Sequence, residues 1–171
     1  MKPVYIIVIL IVIFLLISNI GKSETTNPPE QLKTVSDSQI KSALKTIRDS
    51  FGTDIARQVE QVYRFETAHF TSKQFRQTFS AGMVATKKDY PYGWSSYQTL
   101  WDNNPVIAPV GLSSVFKSGG KEYQYVAFPD IYAGMVVLAS YIKKNGVQKW
   151  GGYEGYQNDI SKITPSITNS L

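Results

Sequence analysis

Thr53-Asp-Ile-Ala-Arg-Gln-Val-Glu-Gln-Val-Tyr-Arg-Phe-Glu66 is the stretch that decides the fold. Thr53 can cap a helix, Asp54 suits its first turn, and Ile55, Val59, Val62 and Tyr63 recur at helical spacing. Continuing that stripe four residues beyond Val62 lands on Glu66. A carboxylate at a core-facing position near a helix end must be neutralised, paired, or set in the wall of a cleft. The bland alternative is a surface ion pair at a frayed helix end.

Upstream, Ser36-Asp-Ser-Gln39 has the capping-box pattern, and Ile40, Leu44, Ile47 and Phe51 follow on one helical face. A helix ending at Phe51-Gly52 is predicted. Downstream, residues 70–112 lose periodicity and carry Tyr90-Pro-Tyr-Gly-Trp94, Trp101-Asp-Asn-Asn-Pro105 and Pro109, an aromatic, turn-rich composition suited to a cleft lobe. Residues 113–117 and 122–128 flank Ser118-Gly-Gly-Lys121, which predicts a β-hairpin. Pro129-Asp130 opens a strongly apolar helix over 131–144, stopped by Asn145-Gly146, and a last helix is expected over 156–163, before Pro165. The fold class expected is mainly α, in the α+β sense, with one small hairpin.

The N-terminus is of another kind. Residues 4–17 read VYIIVILIVIFLLI, preceded by Lys2 and followed by Ser18, Asn19, Ile20, Gly21 and Lys22. The apolar stretch through residue 20 is at the lower limit for spanning a bilayer, and its shape also fits a secretory signal peptide. No good A-x-A site follows and the hydrophobicity exceeds what a signal needs, which favours an uncleaved anchor. Lys2 and the terminal amine favour a cytoplasmic N-terminus, so the remainder is expected on the outer side of the membrane, or secreted if the segment is cleaved. The expected organisation is a transmembrane anchor or signal peptide (1–22), a polar linker (23–35) containing ETTNPPEQLKTV, and one compact domain (36–171).

Composition narrows the function. The 171 residues include 11 Tyr, 8 Phe and 3 Trp, enough for a sizeable core, and no Cys, which excludes disulfides, zinc ribbons and thiol catalysis. The formal charge of +5 rests partly on Lys2 and Lys22. No Lys/Arg cluster resembles a nucleic-acid footprint, so nucleic acid is not an expected partner. Neither G-x-G-x-x-G nor a P-loop occurs, nor a G-x-S-x-G elbow, so no cofactor is expected. Glu66-Thr-Ala-His69 has the E-x-x-H spacing of di-iron helices, but a carboxylate-bridged site needs a second such motif; His69 is the only histidine, and no metal is expected.

Val62-Tyr-Arg-Phe-Glu66-Thr-Ala-His-Phe-Thr-Ser72 resembles the helix-end signature of the lysozyme-like superfamily, E-[ST]-x-x-x-x-S after an amphipathic helix. Within it, the order of segments is similar to bacterial and phage glucosaminidase-type peptidoglycan hydrolases, the mannosyl-glycoprotein endo-β-N-acetylglucosaminidase-like domain. The Thr78-Phe-Ser-Ala-Gly-Met83 loop, Tyr125-Val-Ala-Phe128 leading into the apolar helix, and Gly152-Tyr153-Glu-Gly-Tyr156-Gln-Asn-Asp-Ile160 carry that likeness, over about residues 54–163. The chain departs in lacking Asn-Asn before the Phe/Gly/Met-like turn and in a degraded Ala-Thr-Asp phrase.

The resemblance implies that Glu66 is the general acid, kept protonated by apolar surroundings to which Phe65 and Phe70 contribute. Glu122 on the hairpin is the first choice for a second carboxylate, with Asp89 and Asp102 behind it. Each of these three also reads as a solvated loop acid. Tyr153, matching the Gly-Tyr phrase, would orient substrate or support the reaction. Trp94, Tyr97, Trp101 and Tyr125 are candidates to stack on sugar rings, with core packing an equal alternative for each. The function expected is cleavage of peptidoglycan glycan strands by a glucosaminidase, muramidase or lytic transglycosylase chemistry, with membrane attachment through residues 4–20. The alternative is an inactive, membrane-anchored glycan-binding or virion assembly protein of the same fold; a phage virion membrane component that breaches the wall is compatible with either.

Overall fold

The computed structural model describes residues 32–85 and 97–171; the expected anchor at residues 4–20, Asp89 and Trp94 lie outside them. The described part is mostly helical with a few short strands. In chain order it has α1 (Asp37–Phe51), α2 (Thr53–Glu66), α3 (Lys73–Thr78), α4 (Gln98–Asn103), strands β1 (Gly111–Leu112), β2 (Phe116–Ser118), β3 (Lys121–Tyr123) and β4 (Val126–Ala127), then α5 (Ile131–Asn145), α6 (Gln148–Gly151) and α7 (Tyr156–Ser161). Single 3-10 turns follow α4 (Pro105–Ile107) and α7 (Thr168–Ser170). No described helix is long and apolar enough to cross a membrane.

α1 forms where the capping box predicts. Ser36 Oγ accepts from Gln39 N–H at 3.3 Å and Gln39 Oε1 accepts from Ser36 N–H at 2.8 Å, so two otherwise orphan donors are satisfied reciprocally. α2 starts at Thr53, but Gly52 with φ 93° is its cap, so Thr53 is the first helical residue rather than the capping one. The buried face of α2 is Ala56, Val59, Glu60, Val62 and Tyr63, rotated slightly from the expected stripe, because Ile55 is only half-buried.

α5 is the central element. Asp130 caps it by accepting from Ala133 N–H at 2.8 Å, and Gly146 terminates it. It is buried over nearly its whole circumference, from Ile131 to Ile142, and packs against α1, α2, α6 and the Pro105–Ile107 turn. A helix apolar all round belongs in the middle of a core, and this one is the body around which the others are laid. Gly134 lets it approach closely: a Cβ there would collide with the Phe79 carbonyl oxygen and the Tyr63 hydroxyl, two groups already bonded to each other at 2.9 Å. Gly134→Ala is therefore expected to cost about 1–3 kcal/mol through overpacking, read as a lower urea midpoint at unchanged slope.

The predicted hairpin is present but shorter than expected, since Ser118 and Lys121 pair within it and residues 126–127 pair elsewhere. β2 and β3 pair antiparallel with Phe116 opposite Tyr123 and Lys117 opposite Glu122, across Gly119 and Gly120, both at positive φ as a tight two-residue turn requires. β1 and β4 form a second antiparallel pair, Gly111 opposite Ala127. The segment after α3 is laid along β4, with Val126 N–H donating to Met83 O and Ala85 N–H to Gln124 O, both at 2.8 Å. The last helix is shorter than expected, ending at Ser161.

Candidate functional site

Glu66 is the final residue of α2, and the chain reverses sharply after it. Ala68, His69 and Phe70 all take left-handed backbone conformations, φ 49°, 56° and 69°, which cost non-glycine residues about 1–2 kcal/mol each. Thr67 holds this turn. Its hydroxyl donates to Tyr63 O and accepts from Phe70 N–H at 2.9 Å, while its carbonyl accepts from Ser72 N–H at 2.9 Å. The reversal starts α3 immediately, and the loop leaving α3 brings Gly82 against the Glu66 carboxyl: a Cβ on Gly82 would stand 3.9 Å from Glu66 Oε2. Gly82 has φ 89°, so a side chain there would be strained as well as facing the acid. The loop is fixed by Gln74 Nε2 donating to Ser80 O and Trp150 Nε1 donating to Ala81 O, each at 3.1 Å.

The other carboxyl oxygen, Oε1, accepts a hydrogen bond of 2.7 Å from Tyr156 Oη. Tyr156 is fully buried at the start of α7, its ring meeting Phe65 edge-on at 5.9 Å and Tyr153 edge-on at 5.5 Å. Its seat exists because residue 151 is glycine; a Cβ there would overlap the Tyr156 ring. Burial pushes the Glu66 carboxyl above its ordinary range, and the Tyr156 hydrogen bond opposes this with smaller effect. Burial and then Glu66 itself push the Tyr156 hydroxyl well up, so it remains a donor. The site is thus a half-buried carboxyl biased toward its protonated form, tied at one oxygen and bordered by bare glycine backbone at the other.

The structure gathers some of the expected residues and disperses others. Tyr125 shares the electrostatic surroundings of Glu66; its hydroxyl is raised by burial, by Tyr123 and by Glu66. Tyr153 also feels Glu66, but its hydroxyl donates to Asp159 Oδ2 at 2.8 Å, and that bond is the leading cause of its raised pKa. The tyrosine in contact with the acid is Tyr156. A signal for it was present, since Gly155-Tyr156 repeats the Gly-Tyr pair of Gly152-Tyr153 three residues later.

Glu122 is exposed on β3 and its partner is Lys117 Nζ, 3.0 Å away across the hairpin, rather than Glu66. Asp102 is exposed on α4. Tyr97 and Trp101 are packed in the core, 6% and 3% exposed, with Tyr97 stacked on Tyr141; burial removes both rings from any surface a sugar could reach. Phe70 is likewise a core residue, stacked on Tyr63. His69 is exposed, with Nδ1 3.4 Å from Arg64 Nη1, and among the described residues no cluster of three or more His, Asp or Glu could hold a metal ion. No protein-family model, curated protein or solved structure matches this chain.

Proposed function

We propose that the unit following the N-terminal segment is a lysozyme-like peptidoglycan hydrolase that cuts glycan strands with Glu66 as general acid, held outside a membrane by residues 4–20. The observation that carries this reading is the Glu66 carboxyl itself, half-buried, raised in pKa and bonded by Tyr156 at Oε1 while Oε2 faces Gly82. Glycosidic cleavage needs a proton on the leaving oxygen as its bond to the anomeric carbon breaks, and a carboxyl whose pKa is raised by burial is suited to supply it. Oε2 delivers that proton from the glycine side. The Tyr156 O–H then supports the carboxylate left behind, and Tyr125 and Tyr153, whose hydroxyls both feel the Glu66 charge, would meet the sugar.

Completion falls to water or to a hydroxyl of the sugar. Glu122, engaged with Lys117, favours chemistry that needs one carboxylate. Mass spectrometry of digested peptidoglycan tests the reading: reducing-end GlcNAc, reducing-end MurNAc or 1,6-anhydro ends would name glucosaminidase, muramidase or transglycosylase. The absence of any new end with the wild-type protein would reject it and leave a glycan-binding or assembly role.

Tyr156→Phe is the sharper probe of the acid. Its hydroxyl favours the ionised carboxylate, so its removal raises the Glu66 pKa further and moves the alkaline limb of the pH–rate profile to higher pH. Carboxyl-carbon NMR of Glu66 in the same variant is expected to move in the same direction; a shift to lower pH would contradict the assignment.

A further inference from the structure

Between Asp102 and Lys117 the chain carries no charged side chain, and Val106, Val110, Leu112 and Val115 are turned outward, from 40% exposed at Leu112 to 77% at Val106. Their exposure is built into the fold. Ile107 is buried and pins the turn that presents Val106, Val110 N–H donates to Ala127 O at 2.8 Å, and Ser113 N–H donates to Tyr125 O at 2.9 Å. A single exposed valine is ordinary, but a run of aliphatic side chains held outward by bonded backbone marks an interaction surface.

The run lies where the linker enters the domain. Lys33 N–H donates to Arg76 O at 2.7 Å, and Lys33 Nζ donates to Phe128 O at 3.0 Å. Each of these partners adjoins a residue that holds the run: Gln77 Oε1 accepts from Ser114 Oγ at 3.1 Å, and Ala127 O accepts from Val110 N–H. The edge that carries the exposed valines is thus the edge from which the linker departs. Residues 21–31, between the apolar N-terminal segment and Leu32, reach at most about 40 Å when fully extended. The α3 helix beside them offers Lys73 and Arg76 and no acid, a charge suited to anionic headgroups.

We infer that residues 106–115 form a lipid-contact surface that seats the domain on the bilayer entered by residues 4–20. The inference rests on the membrane reading of those residues and is independent of the glycan reading of Glu66. A lipid surface is favoured over a protein because the exposed groups are aliphatic, without the Trp, Tyr or Arg anchors that concentrate protein–protein binding energy. The seating is shallow. Among the described residues β1 pairs only with β4, and the backbone groups of its other edge need water, which the headgroup boundary supplies and the hydrocarbon layer does not.

The chain has no cysteine, so Val110→Cys supplies a single thiol for an environment-sensitive nitrobenzoxadiazole label. In the full chain, reconstituted into vesicles of phosphatidylcholine and phosphatidylglycerol, that label is expected to emit at shorter wavelength and to be quenched by a phosphatidylcholine bearing a doxyl group near the head of its acyl chain. A label at Ser50→Cys, exposed on α1, is expected to show neither effect. Val106→Cys, outside β1, repeats the measurement at a position where the strand pairing is undisturbed. Unquenched labels at both positions, in protein that floats with the vesicles, would overturn the contact and leave the anchor standing; protein that does not float would overturn both. Equal quenching at Ser50 and Val110 would also overturn the contact. A wavelength shift without quenching, fading as the protein is diluted in lipid, would assign the surface to a second copy of the chain instead.

Discussion

Glu66→Gln is expected to lower glycan cleavage by about 10²–10⁴-fold, the usual contribution of a positioned acid, while leaving the protein at least as stable as wild type at neutral pH. The two effects have one cause. Burial raises the folded-state pKa of Glu66 above its unfolded value, so the folded protein holds that proton more tightly than the unfolded chain does. The associated stability is complete below the unfolded pKa and is lost as pH rises through the folded one. Glutamine keeps an oxygen for Tyr156 and has no proton to lose. Melting curves of the two proteins are thus expected to converge at about pH 3, where Glu is protonated in both states, and to separate in favour of the variant near pH 7. A variant that clears walls as fast as wild type, or melts below it at pH 7 alone, would contradict the role given to this carboxyl.

Glu60→Ala is expected to cost about 3–5 kcal/mol, the scale seen when one partner of a buried ion pair is removed. Glu60 is fully buried six residues before Glu66 in α2, and every group it bonds is a donor. Arg64 Nε lies 2.7 Å from Oε1, Ile167 N–H donates to Oε1 at 3.0 Å, and Thr168 donates to Oε2 through both its N–H and its hydroxyl at 2.7 Å. Arg64 also reaches Ser166 Oγ at 3.0 Å and Gln61 reaches Ile163 O at 2.9 Å, so one face of α2 clasps residues 163–168. Truncation at 60 would strand two backbone donors and a half-paired guanidinium. Chemical denaturation is the measurement; a loss below about 1 kcal/mol, the scale of exposed pairs, would show the cluster to be solvated. Glu60→Gln retains an acceptor for part of the cluster and is expected to fall between.

Glu60 was not legible in the sequence, and the reason is physical. Three of its four bonds go to residues more than a hundred positions away, two of them to backbone N–H groups that have no sequence signature. On a helical wheel it reads as one more charged residue of an amphipathic helix. Local features fared better. The Ser36 capping box, the Asp130 cap, the Gly119-Gly120 turn and the arrival of Glu66 at the end of a half-buried stripe are all set by neighbours within a few positions, and each appears where the spacing put it.

The choice between Tyr153 and Tyr156 fell between these limits. Both follow a glycine, but which ring turns inward depends on the space that Gly151 leaves. The fate of Tyr97 and Trp101 depended on α5 and its neighbours, and an aromatic residue in an irregular stretch carries no mark that distinguishes a wall from a core.

The central helix is too short to act as a membrane span. Its apolar run, residues 131–142, makes about 18 Å of helix, well short of a hydrocarbon layer about 30 Å thick. Asp130 at one end and Lys143 and Lys144 at the other confine it further. A translocating polypeptide carrying this segment would not be halted by it as by a stop-transfer sequence. The same shortness that suits it to the middle of a small globule leaves this segment unable to span a bilayer by itself.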